Sequence, residues 1–135
     1  MNVVEQLLKV DAGKVEFPKK DITLNLMKLG GAEVTFTCVA FDPEVMNEIN
    51  QMNMEISSDG QIEMNTSGLQ LQTLLNGVPE LKDKSLMEHF KVKTPDQLIN
   101  KIFLAGDINK LVDTISELNG FDKKTERKKK DKIKN

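Results

Sequence analysis

The sequence predicts an α+β fold in which an N-terminal β-hairpin packs with a mostly α-helical C-terminal half. Two observations predict it. Apolar residues alternate along residues 20–29 and again along residues 32–40, as the two faces of a strand require. From residue 66 onward they recur at the three- and four-residue spacing of a helix. We expect one domain over residues 1–121, because a chain of this length can bury a single modest core.

The N-terminal hairpin is the clearest element of the sequence. Gly30 and Gly31 separate its strands and tolerate the positive φ angles of a tight turn. Residues 3–10 come before it as a short helix or an extended arm, and residues 11–19 as a connection. The positions that share one face are Ile22, Leu24 and Leu26 in the first strand and Val34, Phe36 and Cys38 in the second.

A helix is predicted directly after the hairpin. Asp42 can cap its free amide donors, and Pro43 suits the first helical position because its missing N–H is not needed there. Phe41 can pack on Met46 as a hydrophobic staple. The predicted buried stripe consists of Val45, Met46, Ile49 and Met52.

Residues 54–64 predict a second, weaker hairpin, with an irregular loop as the alternative. Met54 and Ile56 alternate before the Asp59–Gly60 turn, and Ile62 and Met64 alternate after it.

The helical half begins with Thr66 or Ser67 as a cap, and Gly77 and Pro79 end this first helix, which carries Leu69, Leu71, Leu74 and Leu75. A short helix over residues 82–90 follows, with Leu86, Met87 and Phe90.

Two more helices complete the predicted domain. Thr94-Pro95-Asp96-Gln97 forms a capping box for the first, which buries Leu98, Ile99, Ile102 and Phe103. We expect Gly106 to break that helix and Asp107 to cap the next. Gly120 should end the last helix in the left-handed conformation, with Phe121 folding back onto Ile115. The last helix carries Ile108, Leu111, Val112, Ile115 and Leu118.

The helical half also supplies the candidate partner-binding residues. Apolar residues at helical spacing ordinarily pack in a core, but a groove between the helices of this half could accept an amphipathic partner helix. Methionines would make such a surface adaptable, or they fill gaps in a core that is short of aromatic rings. The candidates are Leu98, Ile102, Leu111, Ile115 and Leu118, and the methionines are Met46, Met52, Met54, Met64 and Met87.

The residues that carry catalysis are scarce. Nucleophilic catalysis needs a nucleophile, a base and an orienting group, but His89 is the only histidine and Cys38 the only cysteine. We expect His89 at the surface and Cys38 as a buried structural thiol, and nothing supports a Cys38–His89 dyad. Four zinc ligands and a phosphate-binding glycine loop are also missing. We therefore expect no enzyme, no catalytic residue, no metal and no cofactor.

Charge divides the chain into an acidic body and a basic tail. Residues 122–135 hold eight basic and three acidic residues, and the remaining residues hold 11 basic and 18 acidic ones. The tail contains one apolar residue and is predicted to be disordered. No apolar run reaches the roughly 20 residues of a membrane span, and no secretory signal begins the chain. We expect a cytoplasmic protein without a membrane partner.

Three stretches together resemble the XkdN-like phage tail assembly chaperones. They are LNLMKLGGAEVTFTCVAF, NGVPELKDKSLMEHFKVKTPDQLINKIFLAGDINKL and DTISELNGFDKK, and the resemblance covers about residues 1–122. It implies a protein of the host bacterial cytoplasm that binds the tape measure protein of a contractile tail. Such a chaperone keeps that protein soluble, helps the tail tube protein assemble around it, and is absent from the mature tail.

Two alternatives from other classes stay open. In the first, the protein is a structural tail or baseplate adaptor whose hairpin is a polymerisation edge. In the second, residues 122–135 bind nucleic acid and the protein is a regulator. We do not expect the second, because the acidic body would repel DNA and no aromatic residue interleaves the lysines. The sequence leaves self-association undecided.

Overall fold

Residues 2–121, which the computed structural model describes, form two antiparallel β-hairpins and six α-helices, and this confirms the α+β class. The predicted basic tail at 122–135 lies outside the described residues. The strands are β1 (Lys19–Leu26), β2 (Ala32–Val39), β3 (Met54–Ile56) and β4 (Ile62–Met64). The helices are α1 (Val3–Leu8), α2 (Pro43–Met52), α3 (Thr66–Gly77), α4 (Lys84–His89), α5 (Pro95–Ile102) and α6 (Ala105–Leu118).

The β1–β2 hairpin has the predicted inner face. Ile22 pairs with Phe36, and Leu24 pairs with Val34. The turn is longer than a tight hairpin turn, because a single 3-10 turn at Met27–Leu29 comes before the two glycines. Gly30 and Gly31 then adopt φ angles of 68° and 80°, as predicted. Leu24, Leu26, Phe36 and Cys38 are buried on the inner face.

The core lies between the inner face of this hairpin and the helical half. Helix α6 packs against β1, β2 and α3. The Phe36 and Phe103 rings meet in this core with their centroids 5.4 Å apart, which joins the hairpin to the segment between α5 and α6. The buried cluster consists of Leu24, Leu26, Phe36, Cys38, Leu74, Val78, Leu81, Leu98, Ile99, Ile102, Phe103, Leu111 and Ile115.

Helix α2 begins as predicted but buries less than predicted. The Asp42 carboxylate accepts a hydrogen bond from the Glu44 amide at 2.9 Å. Ile49 is buried, and Met46 is half-buried. The prediction for Met52 is wrong, because its side chain is 65% exposed. The helix ends at this residue and the chain turns outward into β3, so the stripe loses contact with the core.

Two predicted caps differ in detail. The side chain of Asn65, rather than that of Thr66 or Ser67, caps α3 by accepting from the Gly68 amide at 3.1 Å. Asparagine is at least as good an N-cap as either hydroxyl residue.

At α5, Thr94 accepts from the Gln97 amide as predicted, at 3.4 Å. The Gln97 side chain, however, accepts from the Lys93 amide at 2.9 Å, one residue before the cap.

The junction between α5 and α6 was predicted wrongly. Phe103 and Leu104 are extended and form the break, and Gly106 lies inside the first turn of α6. The Asp107 carboxylate still closes the helix end, because it accepts from the Leu104 amide at 2.9 Å. Burial of the Phe103 ring explains why the chain leaves the helix before the glycine.

The left-handed end of α6 at Gly120 is confirmed, whereas the packing of Phe121 on Ile115 stays a prediction. Gly120 has a φ of 95°. Its amide donates to the Glu117 carbonyl, and the Phe121 amide donates to the Ser116 carbonyl, which together make a Schellman cap. Phe121 lines a cavity of about 220 Å³ with Phe41, Pro43 and Met46 at the start of α2.

Two helical glycines should respond to alanine in opposite directions. A Cβ atom on Gly77 would lie 2.5–2.7 Å from three carbons of the buried Ile115 side chain, whereas one on Gly106 would meet nothing within 4 Å. We expect Gly77→Ala to destabilise the fold by about 1–3 kcal/mol through overpacking. Gly106→Ala should stabilise it by about 0.5–1 kcal/mol through helix propensity. Urea unfolding followed by circular dichroism measures both, and shifts of the same sign would contradict the packing described.

Candidate partner-binding surfaces

The five candidate partner-binding residues lie mainly in the core. Leu98, Leu111 and Ile115 have no exposed surface, Ile102 is 5% exposed, and Leu118 is half-buried against the core. A partner could reach the first four only if the core between α5 and α6 opened. Partner contact through these residues stays a prediction, and the closed fold does not favour it.

A cleft does lie between the helices, at α3, α5 and α6. It has a volume of about 250 Å³, and its apolar lining comes from Leu71, Leu74, Ile99 and Ile108. None of the five candidates lines it. The volume is below the roughly 300–1,000 Å³ of ordinary ligand pockets, so it can accept a side chain but not a whole helix.

The second hairpin carries a larger exposed apolar surface. Met54 pairs with Met64 and Ile56 with Ile62, and cross-strand partners and alternate residues share one face of a hairpin. The exposed fraction is 46% for Met54, 43% for Met64, 80% for Ile56 and 65% for Ile62. We call Met54, Ile56, Ile62 and Met64 the methionine face. An isolated two-stranded hairpin is only marginally stable in water. Because this hairpin leaves its apolar face exposed, the face is a candidate binding surface.

The base of this hairpin is fixed to the body by two asparagines. Asn53 is buried, and its side-chain amide donates to the Ile49 carbonyl at 2.7 Å. The Asn53 carbonyl accepts from the Asn65 amide at 2.7 Å, and the Asn65 side chain caps α3. These bonds hold the hairpin between the end of α2 and the start of α3, which orients the methionine face.

The tip of the hairpin is an ordered turn. Gly60 has a φ of 85°, and the Ser57 amide donates to the Gln61 carbonyl at 2.8 Å. The Ser57 hydroxyl donates to the Asp59 carboxylate, and this bond lowers the pKa of Asp59. Asp59 therefore stays ionised at neutral pH and leaves a negative charge at the tip.

Helix α1 is a second exposed apolar element. Among residues 2–121 it buries none of its own side chains, and Val3, Val4, Leu7 and Leu8 are 63–78% exposed. The Asn2 side chain caps it by accepting from the Glu5 amide at 2.8 Å. Of the two alternatives for residues 3–10, a short helix or an extended arm, the structure shows the helix, over Val3–Leu8.

The methionine face was present in the sequence but was not selected as a site. The alternation on the two sides of the Asp59–Gly60 turn already placed its four apolar side chains in phase. The five methionines that were predicted to make an adaptable surface fall into two groups. Met52, Met54 and Met64 are exposed, whereas Met46 and Met87 are partly buried.

The two residues considered for nucleophilic chemistry occupy different environments. Cys38 has no exposed surface. Burial, with the nearby carboxylates of Glu80 and Asp21, raises the pKa of its thiol from 9.0 to about 11. His89 is exposed and its ring lies edge-on to Phe90, with the centroids 4.9 Å apart. A buried protonated thiol is a poor nucleophile.

No group of three or more His, Cys, Asp or Glu side chains within residues 2–121 could hold a metal ion. No helix in that part is long and apolar enough to cross a membrane.

The raised pKa of Cys38 predicts a loss of stability at alkaline pH. In the unfolded chain the thiol ionises near pH 9, whereas in the folded protein it stays protonated to about pH 11. Ionisation therefore favours unfolding across this window. Between pH 8 and pH 10.5, the free energy of unfolding of the wild type should fall by about 2 kcal/mol more than that of Cys38→Ala. Urea unfolding at both pH values measures this, and identical losses would contradict it.

Comparison with known proteins gave two matches. Residues 4–134 match a family model described as the phage XkdN-like tail assembly chaperone protein. The fold is similar to the crystal structure of the protein YqbN, with a TM-score of 0.56 and 18% sequence identity over 83% of this chain and 93% of that chain. At this identity the likeness to YqbN concerns the fold alone. The search of curated proteins found no match.

Proposed function

We propose that this protein, which belongs to the family of phage XkdN-like tail assembly chaperones, binds the tape measure protein of the tail before the tube polymerises around it. The family match over residues 4–134 carries the proposal. The protein would keep its client soluble, help the tail tube protein assemble around the client, and leave before the tail is complete. Binding alone performs this work, and no catalytic step is proposed.

The exposed apolar surfaces support a binding role. A chaperone needs apolar surface that is free before its client arrives, and the methionine face and helix α1 both provide it. Methionine side chains are flexible and polarisable, so they adapt to varied sequences along a long client. Both surfaces are small beside the roughly 800 Å² per partner of a stable interface, which suits a protein that must later be released.

Client contact is better placed on these surfaces than on the five core candidates. Leu98, Leu111 and Ile115 already contribute to the free energy of folding, and a partner that pulled them outward would have to unfold the helical half. The methionine face can be covered without any change in the core.

The proposed setting is the cytoplasm of the host bacterium, with the tape measure protein as client and the tail tube protein as a further partner. The acidic body supports such a role, because like-charge repulsion keeps chains soluble at high local density along one client.

Co-expression with the cognate tape measure protein tests the proposal. We expect the soluble fraction of the tape measure protein to rise and the two chains to co-purify. The control is co-expression with an unrelated aggregation-prone protein of similar length, whose soluble fraction should not change. An unchanged soluble fraction of the tape measure protein, without co-purification, would contradict the proposal.

A further inference from the structure

The methionine face lies within the most acidic part of the chain. Residues 29–81 contain eight Asp or Glu residues and no Lys, Arg or His. The same 53 residues hold four of the seven methionines. Any partner of the methionine face therefore meets apolar side chains and negative charge together.

Three carboxylates lie on the same hairpin as the methionine face. Glu55 pairs with Glu63 between the two apolar pairs, on the opposite side of the same short strands. Asp59 stands at the tip of the hairpin, and all three residues are exposed. Glu55 and Glu63 face away from the methionine face, so they and Asp59 act on a bound partner through the negative potential of the thin hairpin.

We propose that the methionine face binds a basic amphipathic helix of the client. Its apolar stripe would pack on Met54, Ile56, Ile62 and Met64, and its lysines or arginines would be attracted by the negative charge of Glu55, Glu63 and Asp59. This inference rests on the proposed function, and it adds the chemistry of the client segment. Helix residues three and four apart lie about 5–6 Å from each other. Cross-strand neighbours on a hairpin face have a similar spacing, about 4.5–5.5 Å, so one turn of an apolar stripe covers the patch.

Charge argues against the other occupants. A second copy would bring two acidic hairpins together, and like charges across an interface are costly. Nucleic acid would be repelled for the same reason. The protein's own segment 122–135 has the required charge, but Ile133 is its only apolar residue, so it cannot fill a four-residue apolar face.

The test uses the full-length protein and three synthetic peptides of 18 residues. The first is an amphipathic leucine–lysine helix, the second replaces every lysine by glutamate, and the third has the first peptide's composition in an order without an apolar face. Methionine methyl NMR signals report binding. We expect the signals of Met54 and Met64 to shift saturably with the first peptide and not with the other two.

Two double variants separate charge from burial. Glu55→Gln with Glu63→Gln removes facing like charges, so the hairpin should be no less stable, while affinity for the basic peptide falls roughly fivefold at low salt. Ile56→Ser with Ile62→Ser should weaken binding roughly tenfold or more. Val10→Ser with Val15→Ser removes similarly exposed β-branched side chains, 62% and 82% exposed, that belong to neither surface. This double variant is the matched control, with affinity unchanged.

Three results would overturn the inference. The first is that the signals of Met54 and Met64 do not distinguish the basic from the acidic peptide, because both peptides shift them equally or neither does. The second is self-association of the wild type that Ile56→Ser with Ile62→Ser abolishes, because a second copy would then be the occupant. The third is a shift of the two signals, without peptide, on changing Lys128, Lys129 and Lys130 to glutamine, because the chain's own segment would then cover the face.

The inference and the proposed function can fail separately. If the tape measure protein is still solubilised while the basic peptide does not bind, the proposed function stands and the inferred surface is wrong. If the peptide binds as expected while the tape measure protein is not solubilised, the chemistry of the surface stands and its assigned client is wrong.

Discussion

Leu111→Asp is expected to unfold the domain. Leu111 has no exposed surface, and it lies on α6 within the core that faces the β1–β2 hairpin and α3. An aspartate there would bury a carboxyl group without a partner and leave a cavity, at a cost of more than about 4 kcal/mol. That is a large part of the roughly 5–15 kcal/mol that stabilises a domain. Far-UV circular dichroism and urea unfolding would show the loss.

Leu104→Asp is the matched control for this substitution. Leu104 is 47% exposed and occupies the N-cap position of α6, where aspartate is favoured. This variant should keep the native spectrum. If Leu111→Asp also remained folded, Leu111 would not be a core residue and the sequence-based assignment of partner binding to it would regain support.

Phe103→Ala is expected to have the second largest effect, about 3–5 kcal/mol of destabilisation. Phe103 is 3% exposed, and its ring lies on the Phe36 ring of β2. The substitution removes the aromatic contact between the hairpin and the helical half. Phe121→Ala, at a ring that is 50% exposed, is the control and should cost less than about 1 kcal/mol.

A double-mutant cycle isolates the contact between the two rings. Phe36→Leu and Phe103→Leu, alone and together, should give a coupling free energy of about 0.5–1.5 kcal/mol. Additivity to within about 0.3 kcal/mol would contradict a direct contribution of the ring pair.

Local patterns in the sequence predicted the elements of this fold well. Alternation placed Leu24, Leu26 and Phe36 on one buried face, because a strand's two faces are fixed by its period of two. The Asp42 cap and the Gly120 cap were found because each depends on a few adjacent residues. Such features need no knowledge of the rest of the chain.

The errors occurred where tertiary packing decides. Gly106 is compatible with a helix, and the chain breaks earlier because Phe103 is anchored against Phe36. Met52 fits the stripe of α2 and lies just beyond the reach of the core.

The candidate site was harder to predict than the fold. An apolar residue at helical spacing belongs to a core far more often than to a partner surface, and the five helical candidates followed that rule. The methionine face shows a different pattern in the sequence. Its apolar residues alternate in phase on a hairpin that is too short to have a core of its own. Sequence alone could not show that its four side chains stay 43–80% exposed within residues 2–121.

The copy number of this chain relative to the tape measure protein tests the chaperone assignment most directly. Quantitative mass spectrometry would be applied to tape measure complexes isolated before tube assembly and to purified finished tails. A chaperone should be present in several copies per tape measure protein in the first sample and absent from the second. Stoichiometric amounts in finished tails, with none bound to the tape measure protein beforehand, would contradict the assignment and indicate a structural component.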